Sequence, residues 1–377
     1  MPRIGLHPLW LDSDPNGGIA TYWNRLVENL VEIAPPDLRF TMYFANEASI
    51  AASQPPAAVE ARVVRPASLW LRLPFAIPLE VRRRPVDLLH FQAVAPPVCA
   101  TPFVLTINDI AWETNPEVFP WPIRMRLKLL VGRDARRAAR VITVSEFSKR
   151  LICERYGLPA SRVAVTHHGA DERFRRLANP AAAAEVRRRF GLDGGFVLHV
   201  GKLQARKNLV RLLEAFDRVV REGGFPHKLL LVGKRTWLSD EIFSTLERLP
   251  SRERVVVTGE VSFDDLVALY NAATVFAFPS LAEGFGLPPL EAMACGAPVI
   301  SSNASSLPEV VGDAGLLFDP LDTDAIAKAL ADVLGSESLR RTLVERGLAR
   351  VERFSNRQMA AGTLAVYEAV LREHGRR

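Results

Sequence analysis

No stretch of the 377-residue chain stays apolar for the roughly 18 residues that a membrane-spanning helix needs. The opening segment MPRIGLHPLWLDSDPNGG has neither the apolar core nor the small-residue cleavage site of a secretory leader, so a cytoplasmic protein is expected. Cysteine is scarce. Cys99, Cys153 and Cys295 are odd in number, scattered and without metal-ligand spacing, which argues against a disulfide framework or a cysteine-based zinc site. No G-x-G-x-x-G follows the first strand-like run, which argues against a dinucleotide-dependent dehydrogenase. No module interleaving basic and aromatic residues is present, so nucleic acid is not an expected partner.

Hydrophobic residues make up 48% of the chain and charged residues 24%, the balance of a globular protein long enough for two domains. The net charge of +6 is unevenly spread: residues 123–140, IRMRLKLLVGRDARRAAR, carry seven basic side chains against the single acid Asp134. One reading is a solvated helix face with arginine stems lying on apolar surface. The other is a patch that attracts an anionic membrane surface or a phosphate-bearing substrate.

Short apolar runs alternate with helical patterns along the chain. PRIGL, RFTMYFA, VDLLHFQ, PFVLTIND and RVITVS read as buried strands in the first half. FVLHVGK, KLLLVGK, RVVVTGE, TVFAFPS, APVISS and AGLLFDP read so in the second. Between the first two, IATYWNRLVENLVEI places Tyr22, Leu26, Leu30 and Ile33 at helical spacing. Strand and helix in alternation predict an α/β protein whose parallel sheets are covered on both faces. The Ala-, Arg- and Gly-rich stretch near 173–195 marks the break. The expected division is 1–177 for the first domain, 178–195 for a linker and 196–356 for the second domain. Ligands of such sheets bind beyond the carboxyl ends of the strands, so tandem domains create a cleft.

The most informative segment, EGFGLPPLEAMACGAPVI, runs from Glu283 to Ile300 directly after a predicted strand. Gly284 and Gly286 permit close backbone approach, and Pro288 and Pro289 suit a first helical turn. A helix is therefore expected from about there to Gly296. Its positive N-terminal end is an anion site, at which Phe285, Gly286 and Leu287 offer backbone N–H donors to a phosphate. Glu283 falls on the loop, and Glu291 is expected in the first helical turn, placed to accept from a vicinal diol such as a ribose. Taken singly, Glu291 is equally a helix-dipole carboxylate and Glu283 an ordinary loop acid.

This string resembles the glutamate-x7-glutamate signature of the family 4 retaining glycosyltransferases. The resemblance extends over nearly the whole chain, through NGGIATY, VITVSEFSKRLI, HHGADERF, VGKLQARKNL and SSNASSLPEVVGDAGLLFDP. Within the family the chain is most similar to bacterial mannosyltransferases that build O-antigen-type polysaccharides. The resemblance implies the GT-B fold, two Rossmann-like doubly wound domains facing each other across a cleft, with a C-terminal helix at about 357–377 packing back on the first. It implies a nucleotide-sugar donor, with GDP-mannose the best match, and a glycan or lipid-linked acceptor. With the basic patch at 123–140, peripheral contact with the inner face of the membrane is the matching expectation. Glu283 would hydrogen-bond the donor sugar and Glu291 the ribose. Lys207 and Lys202 would meet the diphosphate, Gly17 and Gly18 would approach sugar and phosphate, and Val261 would contact the base. Lys202 stands where many members carry arginine, keeping the charge but not the bidentate fork.

One departure stands out. In VLTINDIAWETNP the pair Asn108–Asp109 occupies positions where the family has His followed by Asp. Asparagine offers an amide donor and a carbonyl acceptor but does not titrate near neutrality. Retaining transfer in which the departing phosphate takes the acceptor's proton tolerates that change. A non-catalytic nucleotide-sugar-binding protein, or a transferase using a UDP- or dTDP-sugar, are the alternatives. Asp12–Asp14 and Asp322–Asp324 imitate the metal motif of the other large glycosyltransferase fold. The first pair lies in a glycine loop and the second opens a helix that it would cap, so neither metal nor cofactor is expected. His167 and His168 are expected to shape a loop near the cleft, and Ser262 to cap a helix. Trp70, Leu71 and Phe75 either meet a lipid carrier or, more commonly for such residues, pack on the core.

Overall fold

The computed structural model describes residues 1–9, 18–116, 121–179, 181–192, 194–236 and 239–375. Gly17 and Asp12–Asp14 lie outside the described residues. The chain divides into two compact units, Met1–His168 with Ser355–Arg377, and Gly169–Phe354.

The first unit is built on a seven-stranded, wholly parallel sheet in the order β3-β2-β1-β4-β5-β6-β7. Its strands are β1 Arg3–His7, β2 Arg39–Phe44, β3 Val59–Val63, β4 Leu88–Gln92, β5 Phe103–Thr106, β6 Arg140–Thr143 and β7 Val163–Val165. The central strands are apolar because both faces are covered. LLHFQ of β4 is buried at every position, packed on one face by the Gly18–Ile33 helix and the C-terminal helix Asn356–His374. Gly18–Ile33 buries Tyr22, Trp23, Leu26, Val27 and Leu30, an apolar stripe at helical spacing.

Asn356–His374 begins at Ser355, whose hydroxyl accepts the Gln358 N–H, and buries Met359, Leu364, Tyr367 and Val370. A polar thread fixes it to the sheet: Tyr367 Oη lies 2.6 Å from His90 Nδ1, and His90 Nε2 lies 2.6 Å from Thr106 Oγ1. Burial holds the His90 imidazole neutral by driving its pKa down to about 3.

The second unit holds a six-stranded parallel sheet in the order β10-β9-β8-β11-β12-β13. Its strands are β8 Phe196–Val200, β9 Lys228–Val232, β10 Val255–Gly259, β11 Val275–Phe278, β12 Val299–Ser302 and β13 Gly315–Phe318. The Leu209–Glu222 and Thr323–Gly335 helices seal one face of it with Leu212, Phe216, Ile326 and Leu330. Asp322 opens the second of these helices as its cap, accepting the Asp324 and Ala325 N–H groups, and Ser262 caps Phe263–Ala272 through the Asp265 N–H.

Residues 178–195, expected as a linker, belong instead to the second unit and carry a helix. Ala181–Arg189 is fastened there by Arg187, which donates to the Ala272 carbonyl at 2.6 Å, and by Arg189 on Asp265 at 2.6 Å. β3 and β7 were not among the expected strands. Both are sheet edges, and the half-buried VEARV of β3 alternates charge with apolar residues and lacks an apolar run. Strand order reverses between β1 and β4 in one sheet and between β8 and β11 in the other, and such switch points are where open α/β sheets take ligands. No helix among the described residues is long and apolar enough to cross a membrane.

Candidate active site

The switch point of the second unit gathers the chemistry. From the end of β8 the chain turns through Gly201, Lys202 and Leu203 into a short 3-10 turn, Ala205–Lys207, and then the Leu209–Glu222 helix. Asn208 makes the junction. It sits in the left-handed region at φ 57°, and its buried amide donates to the Pro279 carbonyl at 3.1 Å and the Pro320 carbonyl at 2.7 Å. The loop carrying Lys207 is thereby tied to the carboxyl ends of β11 and β13.

Lys207 is buried, its Nζ over the Phe278 ring at 4.7 Å and 2.6 Å from Glu283 Oε1. Arg206 reaches the other carboxylate oxygen at 2.9 Å and also donates to the Ala282 carbonyl. Ser280 adds a hydroxyl donor to Glu283 Oε1. Burial pushes the Glu283 carboxyl upward, but Arg206, Lys207 and these hydrogen bonds outweigh it and hold its pKa at about 2. Glu283 is therefore an anion across the physiological range.

Serines of the segment after β12 set the Glu283 backbone. The Glu283 N–H donates to Ser305 Oγ at 2.9 Å, and the Ser306 hydroxyl lies 2.9 Å from the Glu283 carbonyl and 2.7 Å from the Phe285 carbonyl. Ser305 is itself left-handed at φ 54°. Gly286 turns the chain into the Leu287–Ala294 helix at φ 119°, where a Cβ would meet Leu307 Cδ2 at 2.8 Å. Phe285 is buried with its ring against Phe354.

The helix starts at Leu287, earlier than the proline pair, so Glu291 falls in its second turn rather than its first. Glu291 Oε2 accepts from the buried Tyr270 hydroxyl at 3.0 Å. Burial drives the Glu291 carboxyl up to about 7; the Tyr270 hydrogen bond opposes that rise, and the negative charge of Asp171 adds to it. The two glutamates of the motif are thus pushed in opposite directions, Glu283 held as an anion and Glu291 brought to titrate near neutrality. Val261 stands on the loop that follows β10, immediately before the Ser262 cap. Lys202 is exposed on the loop after β8; the second cation on Glu283 is Arg206.

In the first unit, Asn108 and Asp109 follow β5. The Asn108 side-chain carbonyl is buried without a hydrogen-bond partner among the described residues, while its backbone carbonyl accepts from Thr143 Oγ1 at 3.4 Å. Asp109 Oδ1 accepts the Ala111 N–H at 3.0 Å and opens the Ala111–Thr114 helix. His168 is buried edge-on to Tyr22 at 5.0 Å between ring centroids, and burial together with His167 lowers its pKa to about 3. Gly18 begins the first helix. Sequence reasoning missed Arg206, Asn208, Tyr270 and the three serines. Asn208 alone left a signal, as an Asn where a strand-to-helix turn needs a left-handed residue.

Two family models match, glycosyltransferase family 4 over residues 16–174 and glycosyl transferases group 1 over residues 184–350. The O-antigen chain mannosyltransferase B of Escherichia coli is 36% identical over 266 residues, 70% of this chain and 70% of that protein. The chain is a family 4 glycosyltransferase.

Other relatives are broader in kind. The serotype-specific mannosyltransferase WbdA of E. coli is 32% identical over 58% of this chain, an alignment that spans 27% of WbdA. The D-inositol 3-phosphate glycosyltransferase of Segniliparus rotundus is 31% identical over 72% of this chain and 62% of its own. Among solved structures, Anabaena HepE in complex with UDP and glucose superposes with a TM-score of 0.77 at 20% identity, covering 98% of this glycosyltransferase and 100% of HepE. That likeness establishes the GT-B fold.

Proposed function

We propose that this glycosyltransferase moves mannose from GDP-mannose, with retention of configuration, onto a growing polysaccharide or lipid-linked glycan. It works as a cytoplasmic protein peripheral to the inner face of the membrane. The observation that carries the reading is the buried Lys207–Glu283–Arg206 cluster at the sheet's switch point, beside the start of the Leu287–Ala294 helix. Two fixed cations and a helix N-terminus form a ready site for a diphosphate. The mannosyltransferase relatives support the sugar.

In this reading the diphosphate draws Lys207 and Arg206 from Glu283, and the carboxylate turns to the hydroxyls of the donor sugar. The N–H groups of Phe285, Gly286 and Leu287 meet the phosphates, Glu291 the ribose and backbone atoms of Val261 the base. Lys202 adds exposed positive charge, and Gly17 and Gly18 approach sugar and phosphate. As the bond from the anomeric carbon to the diphosphate breaks, Lys207, Arg206 and the helix dipole stabilise the growing negative charge. The departing phosphate oxygen takes the acceptor hydroxyl's proton while the acceptor oxygen bonds the anomeric carbon on the face the phosphate leaves. Asn108, whose buried carbonyl oxygen needs a donor, accepts from a substrate hydroxyl; Asp109 holds the adjoining turn. Charge stabilisation here comes from side chains and the helix N-terminus, with no metal or cofactor in the scheme.

A UDP-sugar donor is the second reading, favoured by the UDP and glucose bound in HepE. Product analysis tests the proposal: incubation with GDP-mannose and mannosyl oligosaccharides, followed by NMR of the new linkage. An α-mannoside supports retention, a β-mannoside contradicts it, and transfer from UDP-glucose alone replaces the donor.

A further inference from the structure

The helical stretch from Leu69 to Arg83 has two apolar stripes rather than one. Leu73, Ile77 and Val81 point into the core of the first unit. Leu71, Phe75 and Leu79, at the same four-residue spacing, face outward and are 51%, 68% and 48% exposed, with Trp70 beside them at 67%. Of the two fates open to Trp70, Leu71 and Phe75, packing on the core therefore fails. A helical segment apolar on both faces buries one and leaves the other bare, and a contiguous bare apolar surface marks an interaction site.

The Trp121–Arg137 helix extends that surface. Arg126 places its guanidinium over the Trp70 ring at 4.4 Å from the centroid, so the two segments are neighbours. Trp121 and Leu129 of the same helix are 66% and 68% exposed, and Ile123 is 45% exposed. Around these apolar groups the charge has one sign. Arg82, Arg83 and Arg84 close the first segment, and the second helix carries Arg124, Arg126, Lys128 and Arg136 besides the two arginines that pair with Asp134. The two acids of these segments do not offset it. Glu80 is bonded to Arg62 at 3.0 Å, and Asp134 is wholly buried, accepting from the Ala95 N–H, Arg133 and Arg137.

We propose that this face, formed by residues 69–84 and 121–137 of the first unit, docks on a bilayer containing anionic phospholipid, with Trp70, Phe75 and Trp121 entering the headgroup boundary. Charge complementarity selects the occupant. Aromatic and aliphatic side chains suit the boundary between headgroups and acyl chains, and the surrounding arginines and lysines suit the negative surface potential. A protein partner would have to supply matching acids around an apolar centre; an anionic bilayer supplies both without shape matching. The inference deepens the membrane-side location proposed above and names its surface, and it holds for any donor sugar.

Flotation of the full chain with vesicles of phosphatidylcholine, with and without phosphatidylglycerol, tests it. The expected result is co-flotation with the anionic vesicles only, weakening as salt rises. Trp70→Ser/Phe75→Ser and Arg124→Glu/Lys128→Glu are each expected to lower binding about tenfold or more, with the thermal unfolding midpoint and the donor-induced thermal shift unchanged. Absence of wild-type co-flotation overturns the proposal, as does wild-type-like binding by both folded variants. So does sedimentation showing a dimer that Trp70→Ser/Phe75→Ser dissolves without vesicle binding, since the face would then join two copies of the chain. The donor-induced shift is read separately: its loss in the wild type would count against the donor reading alone.

Discussion

Lys207 Nζ and Glu283 Oε1 stand 2.6 Å apart, and Arg206 completes the cluster on the second carboxylate oxygen at 2.9 Å. All three side chains are largely buried. Glu283 and the two cations therefore hold one another, and in the proposed reaction a diphosphate takes the cations over. This mutual neutralisation leaves none of the three charges uncompensated away from water.

Glu283→Ala should lower transfer by about 10²–10³-fold, since a pre-set polar group acting on the reacting centre commonly supplies that much. It should also destabilise the second unit by about 3 kcal/mol, because two buried cations lose their partner. Lys207→Ala should show a loss of the same order. The double variant should cost less than the two single losses combined, which chemical denaturation of all four proteins would measure.

A pH dependence follows from Glu291. Its folded-state pKa of about 7 lies above the ordinary 4.5, so between those values the native state holds a proton that the unfolded chain has released. Its contribution to stability therefore falls as pH rises from 4.5 to 7. Glu283 is opposite: depressed to about 2, its contribution is complete above 4.5 and lost as pH falls toward 2. Glu291→Gln should remove the decline between 4.5 and 7 in unfolding experiments. If the ionised carboxylate receives the ribose diol, nucleotide affinity should strengthen from pH 6 to pH 8 in the wild type and stay flat in Glu291→Gln. Tyr270→Phe removes the hydrogen bond that favours the anion and should move the wild-type rise to higher pH, which calorimetric titration would show.

Asn208→Ala removes two buried hydrogen bonds and strains a left-handed residue, so it should cost about 2–4 kcal/mol. Asn208→Gly keeps the backbone conformation and should cost about half as much. Both should raise KM for the donor more than they lower kcat, because the tether places Lys207 without touching the reacting atoms; steady-state kinetics separates the two effects.

Gly286→Ala should destabilise the second unit by about 1–3 kcal/mol, because the residue sits at φ 119° with Leu307 2.8 Å from any Cβ. Thermal unfolding would report it directly.

The legible parts of this molecule were those that act locally. The central parallel strands read as apolar runs because both their faces are covered, whereas edge strand β3, with alternating charge, did not. The Glu283–Glu291 segment announced its turn and helix through its own glycines and prolines. The support around it did not, because Lys207 and Glu283 are 76 residues apart and Ser305 meets the Glu283 backbone across 22. Tyr270 shows the same limit: its hydroxyl meets Glu291 only after the Phe263–Ala272 helix packs. The bare stripe of Leu71, Phe75 and Leu79 was hidden differently, since a segment apolar on both sides does not declare which side is covered.

In the proposed reaction the Lys207–Glu283–Arg206 cluster receives the diphosphate of a nucleotide sugar, GDP-mannose first. A thermal-shift comparison of GDP-mannose, UDP-glucose, UDP-N-acetylglucosamine and dTDP-rhamnose, with GDP and UDP alongside, tests it on the wild type and on Lys207→Ala. GDP-mannose should stabilise the wild type more than the others do, with most of that shift lost in Lys207→Ala. No shift with any nucleotide in the folded wild-type protein, or an equal shift in the variant, would remove the diphosphate from this cluster.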